Sequence, residues 1–195
     1  MREIVGAERD ELILGILKRI DADTQKVGAP ERSAAWERGW QEALERFRRD
    51  GGLIPAFIRS GQPVRLRQRF YEPEELYELN YCRLNVHRFL AEQFSDCVSV
   101  YEFGCGTGFN LVGIAKRLPW ASFCGFDFVQ PAVDLVREAS LKLDLPIGAD
   151  LFDMTQPRDI EIPKKCGVLT FGSMEQIPQH YRTFIDWLVT KRPAL

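Results

Sequence analysis

Glu102 ends an apolar run and is followed by Gly104, Gly106 and Gly108, alternating with small residues, in the stretch VSVYEFGCGTGFNLVGIAKRLP at 98–119. Glycine at these positions lets the backbone turn sharply, and lets a ligand lie against the chain where a Cβ would collide with it. If the run is a strand of an open parallel sheet, the turn lies at its carboxyl end, where such sheets bind ligands. The ligand that suits this arrangement is a nucleoside-type cofactor. A dinucleotide fold needs G-x-G-x-x-G, whose last glycine permits helix packing near a pyrophosphate, and that position is taken by Phe109. The spacing present is G-x-G-x-G.

An acid followed by this spacing resembles motif I of the class I S-adenosylmethionine (SAM)-dependent methyltransferases, E/D-x-G-x-G-x-G, with Glu102, Gly104, Gly106 and Gly108 in the four places and Cys105 within the loop. The resemblance implies SAM as cofactor and places Glu102 at its methionine end. It makes Asp127, at the end of ASFCGFDF and followed by Phe128, the acid that accepts hydrogen bonds from both ribose hydroxyls. In ADLFDMTQP it makes Asp153, or alternatively Asp150, the acid facing the adenine amino group, with Met154 packing on the ring. VLTFGSMEQIP is similar to the fourth-strand motif and the loop after it. In ubiquinone-biosynthesis-type O-methyltransferases a Glu in this loop is followed by a His; here Glu175 matches and Gln176 replaces the His, which argues against a His base or metal assistance. Glu175 is then the candidate to orient an acceptor, with His180 just downstream. The implied reaction is in-line displacement at a sulfonium methyl carbon, in which the protein chiefly aligns the acceptor and excludes water.

The elements that must position these residues follow from periodicity. Near-continuous apolar runs at CVSVYEF, ASFCGFDF and CGVLTFG read as strands buried on both faces, and LPIGADLFD as a shorter one. Leu111, Ile114, Ala115 and Leu118 mark one helix between them, and QPAVDLVREASLKL, opened by Pro131, marks another. Tyr181, Phe184, Ile185 and Leu188 share a face of a last helix. This alternation predicts an α/β fold: a doubly wound, Rossmann-like parallel sheet at 96–195, preceded by an N-terminal helical extension at 1–95. In that extension Trp36, Trp40, Leu44 and Phe47 recur at helical spacing, Leu79, Cys82, Val86, Phe89 and Leu90 form a second stripe, and the Pro- and Gly-containing 53–71 reads as loop. Arg65, Arg67 and Arg69 alternate there, so in an extended chain they would project from one side and clamp an anionic substrate group.

The resembling family has a seven-stranded sheet in the order 3-2-1-4-5-7-6, whereas this chain ends at TKRPAL, after the helix that follows the fourth strand. The expectation is a truncated form with strand order 3-2-1-4 and the fourth strand at an edge, or an edge covered by a second copy or another partner, or by the N-terminal helices folding over it. The 195 residues carry 45% hydrophobic and 28% charged side chains and a net charge of −2, which gives no global reason to expect nucleic-acid binding. The charge-studded start is neither a secretory nor a transit segment, and no apolar run approaches bilayer length, so a cytoplasmic protein off the membrane is expected. Five cysteines, none in a C-x-x-C pair, argue against a disulfide framework or a zinc site. The whole chain further resembles bacterial methyltransferases of unsettled substrate with an Arg- and Trp-containing helical N-terminus, which implies a small-molecule or sugar acceptor. The alternatives are a methyltransferase-like module that binds without turnover and a nicotinamide-dependent oxidoreductase, the latter disfavoured by Phe109.

Overall fold

Residues 1–23 and 30–195 are described by the computed structural model. The chain starts with a short strand, β1 (Arg2–Ile4), and the helix α1 (Gly6–Ala22), followed by α2 (Pro30–Asp50). The apolar face of α2 is the one its spacing predicts: Leu44 and Phe47 are buried against Leu135 and Ala139 of α6 (Gln130–Leu143), with Trp40 packed beside them. The extension therefore shares a core with the part that follows it.

The N-terminal part is not wholly helical. β2 (Val64–Leu66) and β3 (Arg69–Glu72) form an antiparallel hairpin, and β1 pairs with the other edge of β3 to complete a three-stranded sheet. Arg67 and Gln68 make the two-residue turn, with φ of 49° and 67°. Glycine and asparagine are the usual residues there, so the turn carries none of its ordinary sequence marks. The hairpin also overturns the single-sided arginine row. Arg65 lies on β2 with its guanidinium over the Phe70 ring, Arg67 is in the turn, and Arg69 on β3 pairs with Glu3 at 3.4 Å.

A second departure follows at α3 (Tyr77–Tyr81) and α4 (His87–Gln93), which are joined by a π-helical segment, Cys82–Val86. A π turn accommodates one residue more than an α turn, so the inward face is reset as the helix passes through it. His87 is consequently 2% exposed and Phe89, expected in the apolar stripe, is 58% exposed.

The main sheet contains β4 (Ser99–Phe103), β5 (Ser122–Asp127), β6 (Ile147–Leu151) and β7 (Cys166–Leu169). All are parallel, in the order β6-β5-β4-β7, which is the predicted 3-2-1-4. Strand periodicity divides the core into two layers. Val100, Phe123 and Ile147 face α5 (Phe109–Ala115) and α6, whereas Phe103, Phe126 and Phe152 cluster with Phe184 and Trp187 of α7 (Tyr181–Lys191). Phe103 and Phe184 are completely buried, each contributing about 1.5–3 kcal/mol by its removal from water. Along β7's outer edge, Ala194 N–H donates to the Cys166 carbonyl and Val168 N–H to Leu195, both at 2.9 Å. Among the described residues no helix is long and apolar enough to cross a membrane.

Candidate functional site

The loop after β4 passes through three left-handed residues, Gly104, Gly106 and Gly108, with φ of 74°, 53° and 70°. A Cβ on Gly104 would lie 2.3 Å from the Cβ of Ser173, and one on Gly106 would lie 2.7 Å from Cη2 of Trp40. The close approach that the sequence assigns to a ligand is thus made at these two positions by the chain's own side chains. Ser173, in the loop after β7, is anchored by its hydroxyl to the Phe103 carbonyl at 2.9 Å, and Thr107 Oγ1 bonds the Leu53 carbonyl at 2.8 Å. The loop is therefore clamped between α2 and the loops at the carboxyl ends of the strands.

A cavity of about 650 Å³ opens beside it, bordered by Glu102, Asp127, Phe128, Asp153 and Met154 and also by Trp36 and Trp40. The two tryptophans stack with ring centroids 5.7 Å apart.

Asp127 ends β5 and is 3% exposed. Its Oδ2 accepts the Gly106 N–H at 3.0 Å and its Oδ1 accepts the Val129 N–H at 3.4 Å. Burial pushes its carboxyl up to about 6, against these backbone hydrogen bonds. Glu102 is 1% exposed on the α5 face of β4. Its Oε1 accepts from Asn110 Nδ2 at 2.8 Å, while Oε2 has no hydrogen-bond partner among the described residues. Burial, with the Asp127 charge adding to it, pushes Glu102 up to about 8; the Asn110 amide and the Leu111 N–H act in the opposite sense. Two buried carboxyls held short of water suit hydroxyl and ammonium donors of a ligand.

The remaining predicted residues divide. Asp153 borders the cavity, but one of its oxygens, Oδ1, accepts both the backbone N–H and the hydroxyl of Thr155 at 2.7 Å and caps a turn. Asp150 does not border the cavity and pairs with Arg158 and Arg137. Cys105 turns its Sγ under the loop against Gly125, where a Cβ would lie 2.7 Å from it, and burial raises the thiol well above its ordinary value. That thiol is a packing group. Glu175 and His180 border the cavity, and Gln176 accepts from Arg32 Nε at 3.2 Å. Arg65, Arg67 and Arg69 are absent from the wall. Sequence reasoning missed Asn110, Trp40 and Ser173 as wall residues and His87 behind Asn110. Asn110 carried the only local signal, following the last glycine by two positions at the start of α5.

No protein-family model matches the chain, and no curated protein does. Among solved structures, an Aquifex aeolicus SAM-dependent methyltransferase has 16% identity over 58% of this chain and 62% of its own, with a TM-score of 0.47. A Pyrococcus abyssi tRNA (uracil-54, C5)-methyltransferase in complex with S-adenosyl-L-homocysteine has 14% identity over 68% and 32%, with a TM-score of 0.46. Coclaurine N-methyltransferase, solved with N-methylheliamine and SAH, has 14% identity over 96% of this chain and a TM-score of 0.54. This chain spans little more than half, 56%, of that protein's length. Together with the strand order and the glycine loop at the end of β4, this likeness gives the chain the class I Rossmann-like methyltransferase fold.

Proposed function

We propose that the chain binds SAM and transfers its methyl group to a small-molecule or glycan acceptor. The observation that carries this reading is the Asp127 carboxylate, buried at the end of β5 and hydrogen-bonded to Gly106 of the glycine loop. The residues fit the cofactor: a nearly inaccessible acid, Glu102, borders the cavity with one oxygen unpartnered, as an acid awaiting a donor would. On this reading Asp127 accepts the ribose hydroxyls, Glu102 the ammonium of the methionine end, and Asp153 the adenine amino group through the oxygen its turn does not use. Met154, Phe128 and the Cys105 backbone complete the cofactor wall. SAM supplies an electrophilic methyl carbon when bound. The chain's own work is to align an acceptor with that carbon and to exclude water. Trp36 and Trp40 do the second, and Glu175 orients the acceptor.

In this proposal residues 1–95 are a cap over a SAM-binding part at 96–195, in a cytoplasmic protein that engages neither nucleic acid nor membrane; the outer edge of β7, the place expected for a second copy, is instead bonded at Cys166 and Val168 by the chain's own Ala194 and Leu195. Because the chain spans only part of the fold's relative, binding and turnover are separate questions. Calorimetry with SAM and S-adenosylhomocysteine, with NAD as control, tests the first. Binding of both adenosyl compounds is expected; binding of neither overturns the proposal, and binding of NAD alone favours a nicotinamide enzyme. Radiolabelled methyl transfer to small-molecule and glycan fractions tests the second, and cofactor binding without any transfer leaves a binding module.

A further inference from the structure

Behind the cavity wall lies a hydrogen-bonded line that the proposed function does not use. Asn110 Nδ2 donates to Glu102 Oε1 at 2.8 Å, so the amide oxygen of Asn110 is the atom turned to His87 Nε2, at 3.2 Å. An amide oxygen only accepts, which requires the proton of the neutral imidazole to sit on Nε2. Burial lowers the His87 pKa, the Asn110 hydrogen bond acts against it, and the positive Arg117 and Arg83 nearby add to the lowering. The ring is also fixed in place. Gly113 of α5 leaves it room, since a Cβ there would lie 2.0 Å from Nδ1, and the Phe109 ring packs at 4.8 Å between centroids. The π-helical segment Cys82–Val86 turns His87 inward to this spot.

Resting on the SAM reading above, we infer that His87 is a positioning residue: it fixes the orientation of the Asn110 amide, and through it leaves Glu102 Oε2 free to receive a ligand ammonium. Without the Nε2 proton the Asn110 amide is free to turn over. In the liganded chain, where the ammonium favours the Glu102 carboxylate, the amide NH2 then faces away from Glu102, the amide oxygen confronts the carboxylate, and the carboxylate loses both its donor and its orientation. The charged groups that face this line are Asp127 from β5, beside Glu102, and Arg117 and Arg83, beside His87. The line thus couples helix α4 to the aminoacyl end of the ligand and leaves the ribose end, held by Asp127, untouched.

Two ligands separate this role from a structural one: S-adenosylhomocysteine, which carries the ammonium, and methylthioadenosine, which has the adenosine and the sulfur but no aminoacyl group. In the full chain, His87→Leu is expected to weaken S-adenosylhomocysteine about tenfold, the scale of a hydrogen bond to a charged group, and to leave methylthioadenosine within about twofold. His87→Gln, whose amide can donate to Asn110, is expected to restore most of the difference. Equal losses for both ligands, or none for either, overturn the inference while leaving the SAM reading in place; failure of the unaltered chain to bind either ligand overturns both. If His87→Leu does not fold, Asn110→Ala carries the same comparison: selective loss of S-adenosylhomocysteine supports the line, and an unchanged ratio refutes it.

Discussion

The Gly106 N–H donates to Asp127 Oδ2 at 3.0 Å across 21 positions of sequence, tying the glycine loop after β4 to the end of β5. The carboxylate pins the loop through Oδ2 and the start of the next helix through Oδ1, and on the proposed reading its remaining acceptor capacity serves the ligand. Asp127→Asn keeps an oxygen for Gly106, loses the charge and sets its NH2 against the Val129 N–H, so it is expected to fold with a modestly lowered Tm and to bind SAM at least tenfold more weakly, given about 1.5–3 kcal/mol for a charge-assisted bond. Asp127→Ala is expected to lose both the ligand and part of the loop's order. Calorimetry and thermal denaturation of the two variants check this; undiminished SAM affinity in folded Asp127→Asn removes Asp127 from the site.

Trp40 packs against Gly106, whose φ of 53° already disfavours any side chain. Gly106→Ala is expected to cost about 1–2 kcal/mol from the left-handed backbone alone, and more because its Cβ meets the indole 2.7 Å away. In a Trp40→Ala background the steric part disappears and only the backbone part remains. Denaturant unfolding of the two single variants and the double variant measures the coupling, and additivity would show that the indole is not held against the loop.

How far the sequence led is clearest at these same residues. The strand order was legible because buried parallel strands are continuous apolar runs, and Glu102 and Asp127 stand out in such runs as the residue type they exclude. The hairpin at 64–72 was not, because its turn is built from Arg67 and Gln68, residues without a turn preference. His87 was hidden for a different reason. A helical period of 3.6 carried forward from Leu79 predicts Phe89 inward, and only the π segment, which no composition rule marks, puts the histidine there instead. What Trp40 does over the loop depends on how α2 docks onto α6, a packing between distant segments that local spacing does not encode.

Gly113 should prove as restrictive as the loop glycines although its backbone is ordinary helix. Alanine is favoured over glycine in a helix by about 1 kcal/mol, but here its Cβ would lie 2.0 Å from His87 Nδ1. The overlap outweighs the propensity, and Gly113→Ala is expected to destabilise by about 1–3 kcal/mol. Removing the ring as well, in Gly113→Ala/His87→Ala, is expected to recover much of that loss; a double variant that simply sums the two single costs would separate Gly113 from the histidine.

The buried acids give the unliganded chain a distinctive pH dependence. Glu102 is raised from an ordinary 4.5 to about 8, so folding favours its protonated form, and the stability it contributes is full below 4.5 and lost as pH rises towards 8. Asp127, raised from 3.8 to about 6, acts in the same sense but completes its loss earlier. His87 acts oppositely: its pKa is lowered from 6.5, so its contribution is present above 6.5 and lost as pH falls. Between about 6.5 and 8 Glu102 dominates the titration of these three groups, and at about 1.4 kcal/mol per pH unit the window carries up to about 2 kcal/mol of lost stability. Glu102→Gln cannot ionise, and its carbonyl can still accept from Asn110. Denaturant unfolding from pH 6.5 to 8 is therefore expected to show a falling stability in the parent and a flat profile in Glu102→Gln. Saturating SAM, whose ammonium favours the Glu102 carboxylate, should flatten the parent's profile as well. A parent profile that is already flat, or a slope that persists in Glu102→Gln, would place the buried proton elsewhere.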